Sequence, residues 1–186
     1  MKIRKVLGSA LIATLLPKSS VHGDAFGQGL PNPPNGEYYK ADNWVHTYCY
    51  DGGSVSALRK DNMDRAMAYL DDTTDMADQL TTCEASGVDI EFQEFYLDNK
   101  SGNVGCVEMD PNDDTVCRAS VVRIDTAAQG SPFDHNLDKT IRHEMGHTVG
   151  LTHGGSDDAM KQGLVNGDNK WILFTQHHKD HINAAY

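Results

Sequence analysis

The order of hydrophobic patterns along the chain predicts an α/β (α+β) domain: a mixed, twisted sheet, a long helix around residue 143 and a C-terminal helix. Three observations predict it. Trp44 to Tyr50 is an aromatic and β-branched run closed by Asp51-Gly52-Gly53, which reads as a strand and its turn. Met63, Ala66, Met67 and Leu70 fall at i, i+3, i+4 and i+7, marking the apolar face of a helix that starts near Ser54. Val88, Ile90 and Phe92 alternate with Asp89, Glu91 and Gln93, the period-two pattern of a strand with one dry and one wet face. Strand, helix, strands and then a long helix is the order of an α/β layer structure.

A length of 186 residues with 39% hydrophobic side chains suits one folded domain with its own core. With 16 Lys+Arg against 27 Asp+Glu, the net charge of −11 argues against a nucleic-acid backbone or an anionic membrane surface as the main partner. No internal repeat is present, and nothing points to assembly, so a monomer is expected.

Taken from the N-terminus, Lys2, Arg4 and Lys5 precede an uncharged apolar run from Val6 to Leu16, which Pro17 ends. The run is too short for a bilayer span, which takes about 20 apolar residues, and fits the core of a secretory signal peptide. Val21-His22-Gly23 offers a cleavage site, so residues 1–23 are expected to be removed and the protein to be secreted and extracellular. Without them the net charge becomes −15. Residues 24–43, with Pro31, Pro33 and Pro34, read as a linker, short pro-segment or surface wrap. Residues 44–186 form the folded domain.

Beyond the first helix, Val104 to Met109 and Ala119 to Ile124 flank the turn cluster Asp110-Pro111-Asn112-Asp113-Asp114, which predicts a hairpin. Asp110, Asn112 and Asp114 have the oxygen spacing that opens a Ca2+ loop. Thr115 stands where such a loop needs glycine and no Glu closes it, so calcium is not supported. Secretion makes Cys49, Cys83, Cys106 and Cys117 an even set suited to two disulfides. Three connectivities exist. Cys106 and Cys117 lie at the two ends of the hairpin, and Cys49 and Cys83 flank the first helix, so Cys49–Cys83 with Cys106–Cys117 is the expected pairing.

The chemistry concentrates in His143-Glu144-Met145-Gly146-His147-Thr148-Val149-Gly150-Leu151-Thr152-His153. Histidines at i and i+4 project from one side of a helix, where both imidazoles reach one ion. Zn2+ accepts such nitrogen donors in a tetrahedral arrangement without electronic penalty. Glu144 sits about 100° round the helix from His143, beside the ion, where it can take a proton from water. A straight helix would carry residue 153 away. Gly150 can adopt the left-handed conformation that turns the chain, so His153 returns as third ligand. No Glu follows Glu144; the downstream aspartates Asp157, Asp158, Asp168 and Asp180 are placed less well for that role. The five-residue pattern arises by chance on the order of once in 10⁴ such sequences. Ser131-Pro132 and Asp134 or Asn136 mark the start of this helix. His177 and His181 form a second i, i+4 pair near the C-terminus without a Glu between them, and read as a solvated helix face.

HEMGHTVGLTH resembles the signature of the metzincin clan of zinc endopeptidases, and Met160, seven residues after His153, resembles its Met-turn methionine. The short spacing is similar to that of the matrixins and of small secreted bacterial relatives, although Gly154 and Lys161 stand where matrixins usually carry Ser and Tyr. The resemblance implies that His143, His147 and His153 hold one catalytic zinc, that Glu144 is the general base and acid, and that Met160 is an apolar floor beneath the metal. It implies that a protein or peptide substrate lies extended along an edge strand at Val104 to Met109. It also implies that Lys161 to Trp171 walls the pocket for the side chain just past the cleaved bond. A secreted zinc metalloendopeptidase is therefore the expected function. The alternatives are a non-catalytic secreted zinc-binding module, against which the intact Glu144 argues, and a zinc amidase acting on non-peptide amides.

Overall fold

Alternating apolar residues bury one face of a sheet under two helices, and this packing sets the position of every element. The computed structural model describes residues 39–98, 101–126, 135–153 and 158–186. The expected signal peptide and residues 24–38 lie outside them. The elements are β1 (Lys40–Ala41), β2 (Val45–Tyr50), α1 (Ala57–Thr73), β3 (Ala77–Leu80), β4 (Ile90–Phe95), β5 (Gly102–Asp110), β6 (Asp113–Asp125), α2 (His135–Thr148), a 3-10 turn (Asn169–Ile172) and α3 (Gln176–Ala185).

The sheet is mixed and mostly parallel. β6, β4, β2 and β3 follow one another as parallel neighbours, β1 adds a short parallel pair to β6, and β5 runs antiparallel to β6. The α1 crossover between β2 and β3 is the connection that parallel neighbours require. β5 and β6 form the expected hairpin, with register shifts near its tip between Cys106 and Asp110. Tyr48, Ile90, Phe92, Val122 and Ile124 meet Met63, Met67 and Leu70 of α1 and Leu137, Ile141 and Met145 of α2 in one core. Both expected disulfides are present, Cys49–Cys83 and Cys106–Cys117, with Cα separations of 5.2 and 5.8 Å.

Three differences from the sequence reading have physical causes. β3 went unpredicted because Ala77-Asp78-Gln79-Leu80 has no alternation of its own; it forms because β2 offers a free edge, and its side chains are at best half-buried. β1 sits at the end of the stretch read as linker, held by the sheet and by the Tyr186 hydroxyl, which accepts a bond from the Ala41 N–H at 2.7 Å. Asp89, assigned to the wet face, is buried. Its carboxylate accepts bonds from the Thr47 N–H (2.6 Å) and hydroxyl (2.5 Å), and burial, with Asp42 nearby, pushes its pKa up to about 6.

The C-terminal helix is where the sequence placed it. Thr175 and His178 close a capping box at its start, and Ile182 is buried. Asn183 accepts a bond from the Asp75 N–H at 2.8 Å, tying α3 to the end of α1, and Tyr186 donates to the Val149 carbonyl at 3.4 Å. The last residue of the chain thereby braces the end of α2.

His46, unremarkable in sequence, projects from β2 into the contact with α2. Its Nε2 lies 2.9 Å from the Thr148 hydroxyl, which itself donates to the Met145 carbonyl. The imidazole Nε2 therefore carries a proton and is the donor. Burial lowers its pKa from 6.5 to about 4. Between those values the unfolded chain binds the proton and the folded one does not, so stability falls as pH drops from about 6.5 to about 4. At 1.36 kcal/mol per pKa unit the contribution reaches about 3 kcal/mol. Asp89 acts with the opposite sign over much of this window, so the comparison is with His46→Gln. The stability gap between wild type and His46→Gln in urea unfolding is expected to narrow by that amount between pH 7.5 and pH 4. A gap independent of pH would contradict a buried neutral imidazole.

Candidate metal centre

α2 carries the site because its two faces are chemically distinct. Leu137, Ile141 and Met145 recur every four residues and enter the core, fixing the helix rotation. That rotation puts His143 and His147 together on the adjoining face. The helix ends in a hydrogen-bonded reversal: the Gly150 N–H donates to the His147 carbonyl (3.1 Å) and the Leu151 N–H to the Gly146 carbonyl (3.0 Å). Gly150 has φ 88°, the left-handed conformation the sequence reading required of it. Leu151 is buried, which anchors the outgoing chain.

The reversal delivers His153 to the other two. The ring centroids are 4.6 Å apart for His143–His147, 5.1 Å for His143–His153 and 4.9 Å for His147–His153. One ligand nitrogen from each lies within 4.8 Å of the others. This is the one group of three or more metal-ligating side chains among the described residues.

Backbone carbonyls orient two of the rings. His143 Nδ1 lies 2.9 Å from the Ala159 carbonyl and His147 Nδ1 lies 2.6 Å from the Leu151 carbonyl. A carbonyl only accepts, so each Nδ1 carries the proton and each Nε2 keeps its lone pair. The Nε2 of His147 is buried without a hydrogen-bond partner. A buried acceptor left bare costs free energy unless something fills it, and a cation does. Burial lowers the pKa of His143 to about 3 and holds that of His147 well below the usual imidazole value, with the charges of Lys139 and of neighbouring imidazoles adding to the effect. His153 shifts the same way by partial burial and by Lys139. All three are neutral at pH 7, the form a metal needs. The residues present therefore fit a metal ion.

Met160 packs against the ligand helix. Its sulfur packs on Gly146, between the two helical ligands: a Cβ built there would stand 2.5 Å from Sδ and 3.1 Å from Cε. The turn that holds it is tied on both sides. Asp158 accepts a bond from the Met160 N–H at 2.7 Å, and the Ala159 N–H donates to the Leu173 carbonyl at 3.0 Å. Glu144 is buried beside the ligands, against the first residue of β5.

Several functional neighbours escaped the sequence reading. Gly102 lies so close to Glu144 that a Cβ would come within 2.7 Å of its Cγ and Oε1. Gly146 is needed for Met160; a glycine inside a helix costs about 1 kcal/mol, which is a sign of close packing. The Gln162 amide nitrogen lies 2.8 Å from His153 Nδ1. Lys139 gave no pattern at all, and Asp158, weighed in the sequence only as an alternative third ligand, instead holds the Met160 N–H. Gly154, Gly155, Ser156 and Asp157, between the third ligand and the methionine turn, lie outside the described residues, as do Ser131, Pro132 and Asp134.

Other sequence candidates stand apart from the triad. His177 and His181 pack edge to face with centroids 4.3 Å apart. At the hairpin tip, Asp110 accepts a bond from the Asn112 N–H (2.7 Å) and Asp113 from the Thr115 N–H (2.9 Å), so both carboxylates serve the turn. A hollow of about 500 Å³ lies on the face of the sheet opposite the helices, lined by residues that include Cys49, Cys83, Glu91, Val107 and Arg118.

Among the described residues no helix is long and apolar enough to cross a membrane, and the two disulfides are compatible with an extracellular protein. No protein-family model matches this chain, and a search of curated proteins finds no significant match.

Proposed function

We propose that this protein is a secreted zinc metalloendopeptidase with a metzincin-like catalytic domain. The observation that carries the reading is the convergence of His143, His147 and His153, two of them pinned through Nδ1, with Glu144 buried alongside and Met160 beneath. Three histidines and an open fourth position are the donor set of catalytic zinc, whereas structural zinc sites are closed by four protein ligands. Bound zinc would supply a Lewis acid that polarises the scissile carbonyl and makes water nucleophilic near neutral pH.

The chain's own residues supply the rest. Glu144 accepts the proton of the attacking water and passes it to the leaving amine. The carbonyls of Ala159 and Leu151 hold the imidazoles so that little reorganisation accompanies the reaction. β5, the antiparallel edge strand on the α2 side, offers backbone groups to an extended peptide. A peptide amide is favoured over a small non-peptide amide because that edge is long enough, from Gly102 to Asp110, to bind several residues.

The purified extracellular form is expected to contain about one zinc per chain and to cleave casein or gelatin. A chelator should abolish cleavage and added zinc restore it. Zinc bound without cleavage of any peptide would leave the non-catalytic module as the better reading.

A further inference from the structure

Lys139 lies on α2 one turn before His143, so residues 139, 143 and 147 share a face. The segment after Met160 runs back along that face: Gln162 touches His153, the Gly163 carbonyl accepts a bond from Lys139 Nζ at 3.3 Å, and the Val165 N–H donates to Asn136 at 2.9 Å. The ammonium is thus lodged between helix and strap, beside the triad. Lys139 is 4% exposed. Among the described residues its one hydrogen bond is long and made to a neutral acceptor, and no carboxylate stands within 4.0 Å.

A buried ammonium without a close counter-charge is costly, and functional sites are where such costs are retained. Glu144 and Asp158 act on Lys139 only from a distance, and Lys161 opposes them. Asp158 is also engaged by the Met160 N–H. A divalent metal would add further positive charge next to it. The strap that covers Lys139 is an exposed segment, with Leu164 80% exposed and Gly163 in the left-handed region at φ 82°. An incoming carboxylate can therefore take the place of the Gly163 carbonyl and exchange a weak bond for a charge-assisted one.

We propose that Lys139 receives a side-chain carboxylate of the substrate, so that the preferred peptide carries Asp or Glu next to the bond that is cut. The inference rests on the endopeptidase reading for its substrate and names the specificity of the same site. The full sequence carries a charge of −11, and −15 without residues 1–23; either repels acidic peptides at long range, so an acid preference has to originate in the site itself.

The test compares capped alanine-rich hexapeptides that differ only in one central Asp or Asn. Binding to zinc-loaded Glu144→Ala protein is measured by calorimetry, and cleavage by wild type in parallel. The Asp peptide is expected to bind about ten- to a hundredfold tighter, as a hydrogen bond between charged groups allows. Lys139→Met should erase the difference and Lys139→Arg keep it; Lys139→Gln serves if the methionine variant does not fold. Equal binding of the two peptides, or a preference that survives Lys139→Met, overturns the proposal. Peptides cleaved without regard to Asp or Asn sink the proposal and leave the endopeptidase standing. Lys139-dependent binding without cleavage does the reverse.

Discussion

Glu144→Ala is expected to lose peptide cleavage by about 10³-fold or more while still binding about one zinc per chain. The two halves of this result come from separate parts of the structure. The ligand nitrogens are held by bonds that do not involve Glu144: His143 by the Ala159 carbonyl, His147 by the Leu151 carbonyl, His153 beside Gln162. The helix reversal at Gly150 that brings the third imidazole in is a backbone device and survives the truncation. What disappears is the carboxylate that the proposed mechanism uses to take and return a proton. The buried space left by the shortened side chain is bordered by Gly102 and Thr140, and costs stability without touching the triad. Zinc analysis, thermal unfolding and casein cleavage on the same preparation check it. Full activity would remove Glu144 from the mechanism, and loss of zinc would make it a ligand or a structural support.

Chemistry that repeats locally was legible in the sequence. His143, His147 and Gly150 lie within eight residues of one another, so their geometry follows from helix period and glycine conformation alone. Both cysteine pairs were legible because the hairpin and the first helix limit which ends can meet. Features set by neighbours distant in sequence were not. β3 exists because β2 has an edge to fill. Asp89 is buried because Thr47 supplies its hydrogen bonds from another strand. His46 is buried, with its Nε2 against the Thr148 hydroxyl from 102 residues away, and burial lowers its pKa. Lys139 looked like an ordinary helix lysine, and only the path of the strap after Met160 shows it to be covered. Gly102 and Gly146 were visible as residues, but the side chains that need their empty space, Glu144 and Met160, come from other elements of the fold.

Gly102→Ala is expected to lower kcat by about a hundredfold with zinc content and fold retained, the loss that misplacing a catalytic group by about 1 Å can produce. Gly102 opens β5 and pairs with Ile124 of β6, so its position is fixed by the sheet. Its φ lies outside the left-handed region, and alanine is compatible with the backbone there. Space is the obstacle. The new methyl would stand 2.7 Å from Cγ and Oε1 of Glu144 and 2.8 Å from Cγ2 of Thr140. Thr140 is β-branched and stiff on a helix, so it yields little. Glu144 yields more easily, but Cγ is near the root of its side chain, and moving it swings the carboxylate. The alternative, lifting β5 off α2, would strain the hairpin that Cys106–Cys117 closes. The contact therefore acts on Glu144, the proposed general base, and on none of the three histidines. Gly53→Ala, in the turn after β2 where an added Cβ meets nothing within 4 Å, is the control and should match wild type. A purely structural role for Gly102 would lower the unfolding temperature and leave kcat of the folded fraction unchanged. The proposed positioning role lowers kcat with little change in KM. If Gly102→Ala cleaves as fast as Gly53→Ala, the close approach of β5 does not set the place of Glu144.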